Sequence, residues 1–168
     1  MPIVASDIKL YLSGGAGNTD PNASLGGAIS TTEVVDNTLH NLFDKVSGAE
    51  ASAGDTEYRL FYVKNTHATL TLQSAKIYID TNTPSTDTSV EISVATETGS
   101  PTQTIANENT APATQTFVTA AGVGNALTIG DLAPGVVKGI WIKRIVGSSA
   151  TAYANDSVVI KTYGDTDA

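Results

Sequence analysis

Apolar and polar residues alternate at period two along most of this chain, a pattern that suits half-buried strands and not helices. Ile8, Leu10 and Leu12 alternate with Lys9 and Tyr11, and Tyr58, Leu60 and Tyr62 with Arg59, Phe61 and Val63. Ile77 and Ile79 alternate with Lys76, Tyr78 and Asp80, and Val90, Ile92 and Val94 with Glu91 and Ser93. Leu70 and Leu72 form a shorter run, Val136 to Val146 a longer one around Trp141, and Val158 and Ile160 a last one. Many of these residues are β-branched or aromatic, as strands prefer. Parity breaks across Gln73-Ser74-Ala75, which predicts a β-bulge or sharp bend, because a one-residue slip reverses the faces. Turn signals at Gly14–Asn18, Thr81–Pro84, Gly99–Pro101 and Ala133–Gly135 punctuate the runs.

Short strands with frequent turns and no alternating long helices predict an all-β fold in a single domain, residues 1–168. The expected architecture is an antiparallel β-sandwich, jelly-roll or immunoglobulin-like. Leu39, Leu42, Phe43 and Val46 have i, i+3, i+4, i+7 spacing and predict one short helix, capped by Asp36 or Asn37 and ended by Gly48. The stretches 14–28 and 99–116 exceed ordinary hairpin turns and are expected to be surface loops. Residues 1–28 are expected to form an N-terminal strand and extended arm.

At 168 residues the chain can bury roughly 70% of its unfolded surface, enough for one core. That core is lean, because Thr, Ala, Gly and Ser dominate the composition and charged residues are only 15%. The chain has no Cys, which excludes disulfides, thiolate metal sites and a cysteine nucleophile. Its apolar runs are too short to span a membrane, and Met1–Asp7 lacks the basic start and apolar core of a signal peptide, so no membrane partner and no secretory export are expected. A net charge of −8 disfavours binding to a phosphate backbone, so no nucleic-acid partner is expected.

No catalytic motif stands out. Gly14–Asn18 follows a strand, as a phosphate loop would, but lacks the following Lys-Ser/Thr and the helix. Asn18, Asp20, Asn22 and Ser24 occupy alternate positions like the start of a calcium loop. Pro21 stiffens the middle, and Ile29 stands where a bidentate Glu is needed. His40 and His67 are far apart and have no metal-ligand spacing. No catalytic residue, metal or cofactor is therefore expected. Trp141 reads as core, whereas Tyr11 and Tyr78 fall on the polar faces of their strands and are the candidate exposed aromatics for stacking on sugars.

Charge placement is uneven. No Lys or Arg lies between Lys76 and Lys138, an interval that holds Asp80, Asp87, Glu91, Glu97, Glu108 and Asp131. Lys138, Lys143 and Arg144 follow. Two readings stand: a solvated acidic surface, or an acidic face that meets a basic partner or a neighbouring subunit. On the second, Asn18, Asp20, Asn22, Glu97, Glu108, Lys138, Lys143 and Arg144 are the candidate subunit or partner interface.

Three blocks carry a family resemblance: Ser6–Asn18 with Asp20–Gly27, Ala53–Arg59 before Tyr62–Asn65, and Leu132–Gly135 before Ile140–Ile142, with Asn155–Ser157 near the end. Together they resemble structural proteins of tailed-bacteriophage virions, over essentially the whole chain and most specifically in the first block. The Leu132–Gly135 corner also resembles the late corner of immunoglobulin-like and fibronectin-type sandwiches. The phage resemblance implies a head decoration (cement) protein: non-enzymatic, trimeric, and bound to the major capsid protein and its own copies on the outer surface of the head. Such a protein is made in the host cytoplasm. Tail, neck or baseplate membership, or a carbohydrate-binding adhesion module, are the alternatives it leaves. Segments 1–7, 14–28 and 99–116 are the arms expected to order against neighbours.

Overall fold

The computed structural model describes residues 2–166; Met1 of the expected arm and residues 167–168 of the expected domain lie outside them. Among the described residues, eight strands and one α-helix, besides three single-turn 3-10 helices, follow in order: β1 Ile8–Ser13, β2 Ile29–Glu33, α1 Gly48–Ala53, β3 Asp55–Asn65, β4 Leu72–Thr81, β5 Thr88–Val94, β6 Leu127–Leu132, β7 Val137–Val146 and β8 Val159–Thr166. They build a five-stranded sheet, β2-β1-β3-β7-β5, and a three-stranded sheet, β6-β4-β8, with antiparallel strand pairing throughout. The fold is the all-β sandwich expected from the alternation.

The core between the sheets takes one parity of each strand: Phe61 and Val63 from β3, Ile140 and Ile142 from β7, Val90 and Ile92 from β5, Ile77 and Ile79 from β4. The opposite parity of the large sheet is also buried. Leu60, Tyr62, Ala95, Ile105 and Trp141 form a second apolar cluster, with Tyr11, Leu25, Ile29, Tyr58, Phe117 and Val137 packed around it. The central strands β3 and β7 are thus buried on both faces, which explains their unbroken runs Leu60–Val63 and Ile140–Ile142. Half-buried strands were expected here. The difference arises because the loops 14–28 and 95–117 fold down over the outer face of the sheet.

The parity break lies in β4 as expected. Register with β6 shifts between Leu72, Ala75 and Lys76, and Ser74 has φ +51° with its N–H donated to Asp131 Oδ1 at 2.8 Å. The Leu132–Gly135 corner carries the chain from β6 in the small sheet to β7 in the large one. Val136 N–H donates to Ala133 C=O, and the buried Asn65 amide donates to Leu70 and Leu132 C=O at 2.8 and 2.7 Å.

The helix is displaced from its expected place. Residues 34–47 are irregular, with positive φ at Asn37 and His40. Leu42 is buried and Phe43 packs on the core, but Leu39 is 69% exposed. Two apolar anchors, not an amphipathic face, account for that spacing. The helix begins instead at Gly48, where Ser47 Oγ accepts from Glu50 N–H and Glu50 Oε2 accepts from Ser47 N–H. Gly54, at φ +82°, ends it.

Candidate functional site: three loops tied to one end of the large sheet

β1 ends at Ser13, so the lower half of β3 loses its strand neighbour on that side. Loop carbonyls replace it: Leu60 N–H donates to Ser24 C=O at 2.8 Å and Tyr58 N–H to Glu108 C=O at 2.7 Å. Arg59 lies between these two bonds and is fully buried, at 0% exposure. Its guanidinium donates to Glu108 Oε2 at 2.5 Å, to Asn22 Oδ1 at 3.3 Å and to Tyr58 C=O at 3.2 Å, and lies 3.9 Å from Glu57 Oε1.

Glu57 shares the face of Arg59, two residues before it, and its register partner on β7 is Arg144. Arg144 Nε donates to Glu57 Oε2 at 2.5 Å, and a second guanidinium nitrogen also meets that oxygen. Arg144 also donates to Asp44 C=O at 2.6 Å. The Phe43 ring caps both guanidinium groups, with centroids 5.4 Å from Arg59 and 4.8 Å from Arg144. Burial pushes the Glu57 carboxyl up, against the downward pull of Arg144 and then Arg59. One buried network therefore holds three loops: 14–28 through Asn22, 34–47 through Phe43 and Asp44, and 95–117 through Glu108.

A second tie joins two of these loops farther up the sheet. The buried Tyr62 hydroxyl donates to Gly27 C=O at 2.5 Å and accepts from Thr102 N–H at 3.1 Å. There the backbones touch. Gly26 bridges Thr104, and a Cβ at Gly26 would lie 2.0 Å from Gln103 O, so only glycine fits, at φ +95°.

The eight candidate interface residues do not form one patch. Asn22, Glu108 and Arg144 meet in the network. Asn18 and Asp20 shape the first loop: Asn18 Nδ2 donates to Ser13 C=O at 2.5 Å, Asn18 Oδ1 accepts from Asp20 N–H, and Asp20 Oδ1 accepts from Asn22 N–H. Lys138 donates to Glu97 C=O at 2.8 Å, and burial pushes the Lys138 ammonium below the usual lysine range. Lys143 pairs with Glu91, its register partner on β5, at 2.9 Å. The three cations after the acidic interval thus have partners within the chain.

Sequence reading missed Glu57, Arg59, Phe43 and Asp44. Arg59 carried a signal, since it shares parity with the core residues Phe61 and Val63. Of the two candidate exposed aromatics, Tyr78 is buried at 8% exposure, against the ring of Tyr163, and Tyr11 lies under Lys64 Nζ at 5.6 Å. The physical reason is that the Tyr163 ring, from the adjacent strand β8, packs edge-on against Tyr78 at 5.9 Å on that face. The exposed tyrosines are Tyr153 and Tyr163.

Among the described residues, no group of three or more His, Asp or Glu is placed to hold a metal ion, and no helix is long and apolar enough to cross a membrane. No family model, curated protein or solved structure matches the chain.

One loop contact carries a pH signature. Asp87 Oδ2 accepts from Thr151 N–H at 2.9 Å and Thr151 Oγ1 at 2.7 Å, and these bonds hold its carboxyl below the usual aspartate range. A depressed folded value means that this contribution is present above the unfolded pKa and is lost as pH falls through the folded one. Asp87→Asn is expected to lower the melting temperature in the neutral region, where the carboxylate contributes, and to leave it nearly unchanged at the acid end, so that the acid limb is flatter. An acid limb with the wild-type slope would remove Asp87 as a source of acid sensitivity.

Proposed function

We propose that this chain is a non-enzymatic structural protein of a tailed-phage virion. It decorates the outer surface of the head and cements it by binding the major capsid protein and its own copies as a trimer. The observation that carries this reading is the state of the long loops. They do not stand off as arms. The Arg59 network and the Tyr62 hydroxyl hold them in one shape over the large sheet. A surface shaped before binding loses little freedom on docking, and it repeats identically in every copy, as a lattice of equivalent positions requires. The whole-chain resemblance supports the same address, and the net charge of −8 suits a protein that sits outside a packaged genome.

Quantitative mass spectrometry of purified virions, read against the major capsid protein, tests it. A copy number near that of the capsid protein is expected, and heads lacking the chain are expected to lose thermal and osmotic resistance by mass action. A copy number of a few per particle would move the protein to the tail, neck or baseplate. Unchanged resistance would remove the cementing role.

A further inference from the structure

Edge strands are where a sheet can grow, and this chain treats its edges differently. At the β2 edge, Ile29 N–H donates to Ser100 Oγ at 2.9 Å and Thr32 N–H to Ser30 Oγ at 2.9 Å. At the β5 edge, Ile92 and Val118 exchange both backbone bonds, and Asn82 takes Val90 N–H and C=O. The β6 edge is broken by Gly130, at φ +92°, where its register shifts. β8 pairs with β4 alone, and among the described residues no strand pairs with its other edge.

The exposed face of β8 reads Val159, Lys161, Tyr163, Asp165. Val159 and Tyr163 are 44% and 37% exposed. Beside the strand, a groove of about 470 Å³ opens toward β1, with the half-buried apolar residues Ile8, Leu10, Val34 and Ile160 on its walls. The order Lys-x-Tyr-x-Asp is self-complementary. In an antiparallel pair centred on Tyr163, Lys161 of each copy stands opposite Asp165 of the other. Directly opposed residues of opposite charge stabilise such pairs. Lys161 already meets Asp80 at 2.8 Å and keeps donors free, whereas Asp165 has no side-chain partner among the described residues.

We propose that β8 is an interaction edge for a second copy of this chain. Two β8 strands pair antiparallel about a two-fold axis at Tyr163 and join the two small sheets into one. The contact is isologous, so it is separate from the three-fold contact of a trimer and would join one such unit to the next. It does not depend on where the protein works.

The chain has no cysteine, so a single introduced one reports the register cleanly. Tyr163→Cys places two thiols opposite each other across the axis, within reach of a disulfide. It is expected to oxidise to a linked pair at micromolar concentration, while Val123→Cys, on an exposed turn, stays unlinked under the same conditions. Sedimentation is expected to give a mass that halves in Asp165→Lys and returns in Lys161→Asp/Asp165→Lys. Wild-type folding of Asp165→Lys, checked by its melting temperature, separates lost pairing from lost structure. A Tyr163→Cys chain that links no faster than Val123→Cys, or a double variant that stays at the halved mass, would overturn the proposal.

Discussion

Replacing Arg59 with Met is expected to lower the melting temperature by about 10 °C, from a stability loss of roughly 3–5 kcal/mol. The cost does not come from one strong bond. Glu57 is buried at 1% exposure and depends on two cations. Without Arg59 it keeps Arg144 alone, and Asn22 loses its side-chain donor. Glu108→Ala is the contrast. Its side chain is 40% exposed, so water takes over much of its role and a loss below about 1 kcal/mol is expected. The measurement is chemical denaturation of both variants beside the wild type. If the two cost the same, burial of the charge is not what makes this network matter.

Trp141→Ala carries the second large effect, about 3–5 kcal/mol, because a fully buried ring is replaced by a cavity. The ring belongs to the outer cluster, with Leu25, Ile105 and Phe117 from the covering loops. Its loss is expected to loosen those loops before it unfolds the sandwich. Thermolysin, which cuts before large apolar residues, is expected to cleave the variant first at Leu25, Ile105 or Phe117. Trypsin reports nothing there, since the loops hold no Lys or Arg. Trp141→Phe is expected to be mild. The indole Nε1 is buried without a hydrogen-bond partner, so removing its N–H removes no bond. Cleavage that begins in the strands would show that loops and sandwich come apart together.

Much of the fold was legible because alternation reports burial directly. The strands of β1, β3, β4, β5 and β7, the bulge at Ser74 and the turn at Ala133–Gly135 all follow from parity and turn residues. β2 was not legible, since Ile29-Ser-Thr-Thr-Glu offers one large apolar residue. Its place comes from pairing with β1. The false helix at Leu39–Val46 shows the limit of spacing alone, because two buried anchors in an irregular segment reproduce it. The true helix was announced by its Ser47 and Glu50 cap and not by periodicity. The charge network was the least legible part. Its cations sit eighty-five residues apart, and only the register of β3 on β7 sets Glu57 beside Arg144.

That same ladder governs how the chain folds. β3 pairs with β7 from Asp55↔Val146 to Lys64↔Val137, so the sheet's central seam joins segments more than seventy residues apart. Closing so long a loop costs entropy before any contact is gained, and folds dominated by such distant pairings form in milliseconds to seconds. A nascent chain holding β1 to β5 can pair β2-β1-β3 but lacks the strand that joins β3 to β5. The large sheet is therefore complete only once Val137–Val146 enters it, and the covering loops gain the Trp141 part of their floor at the same step.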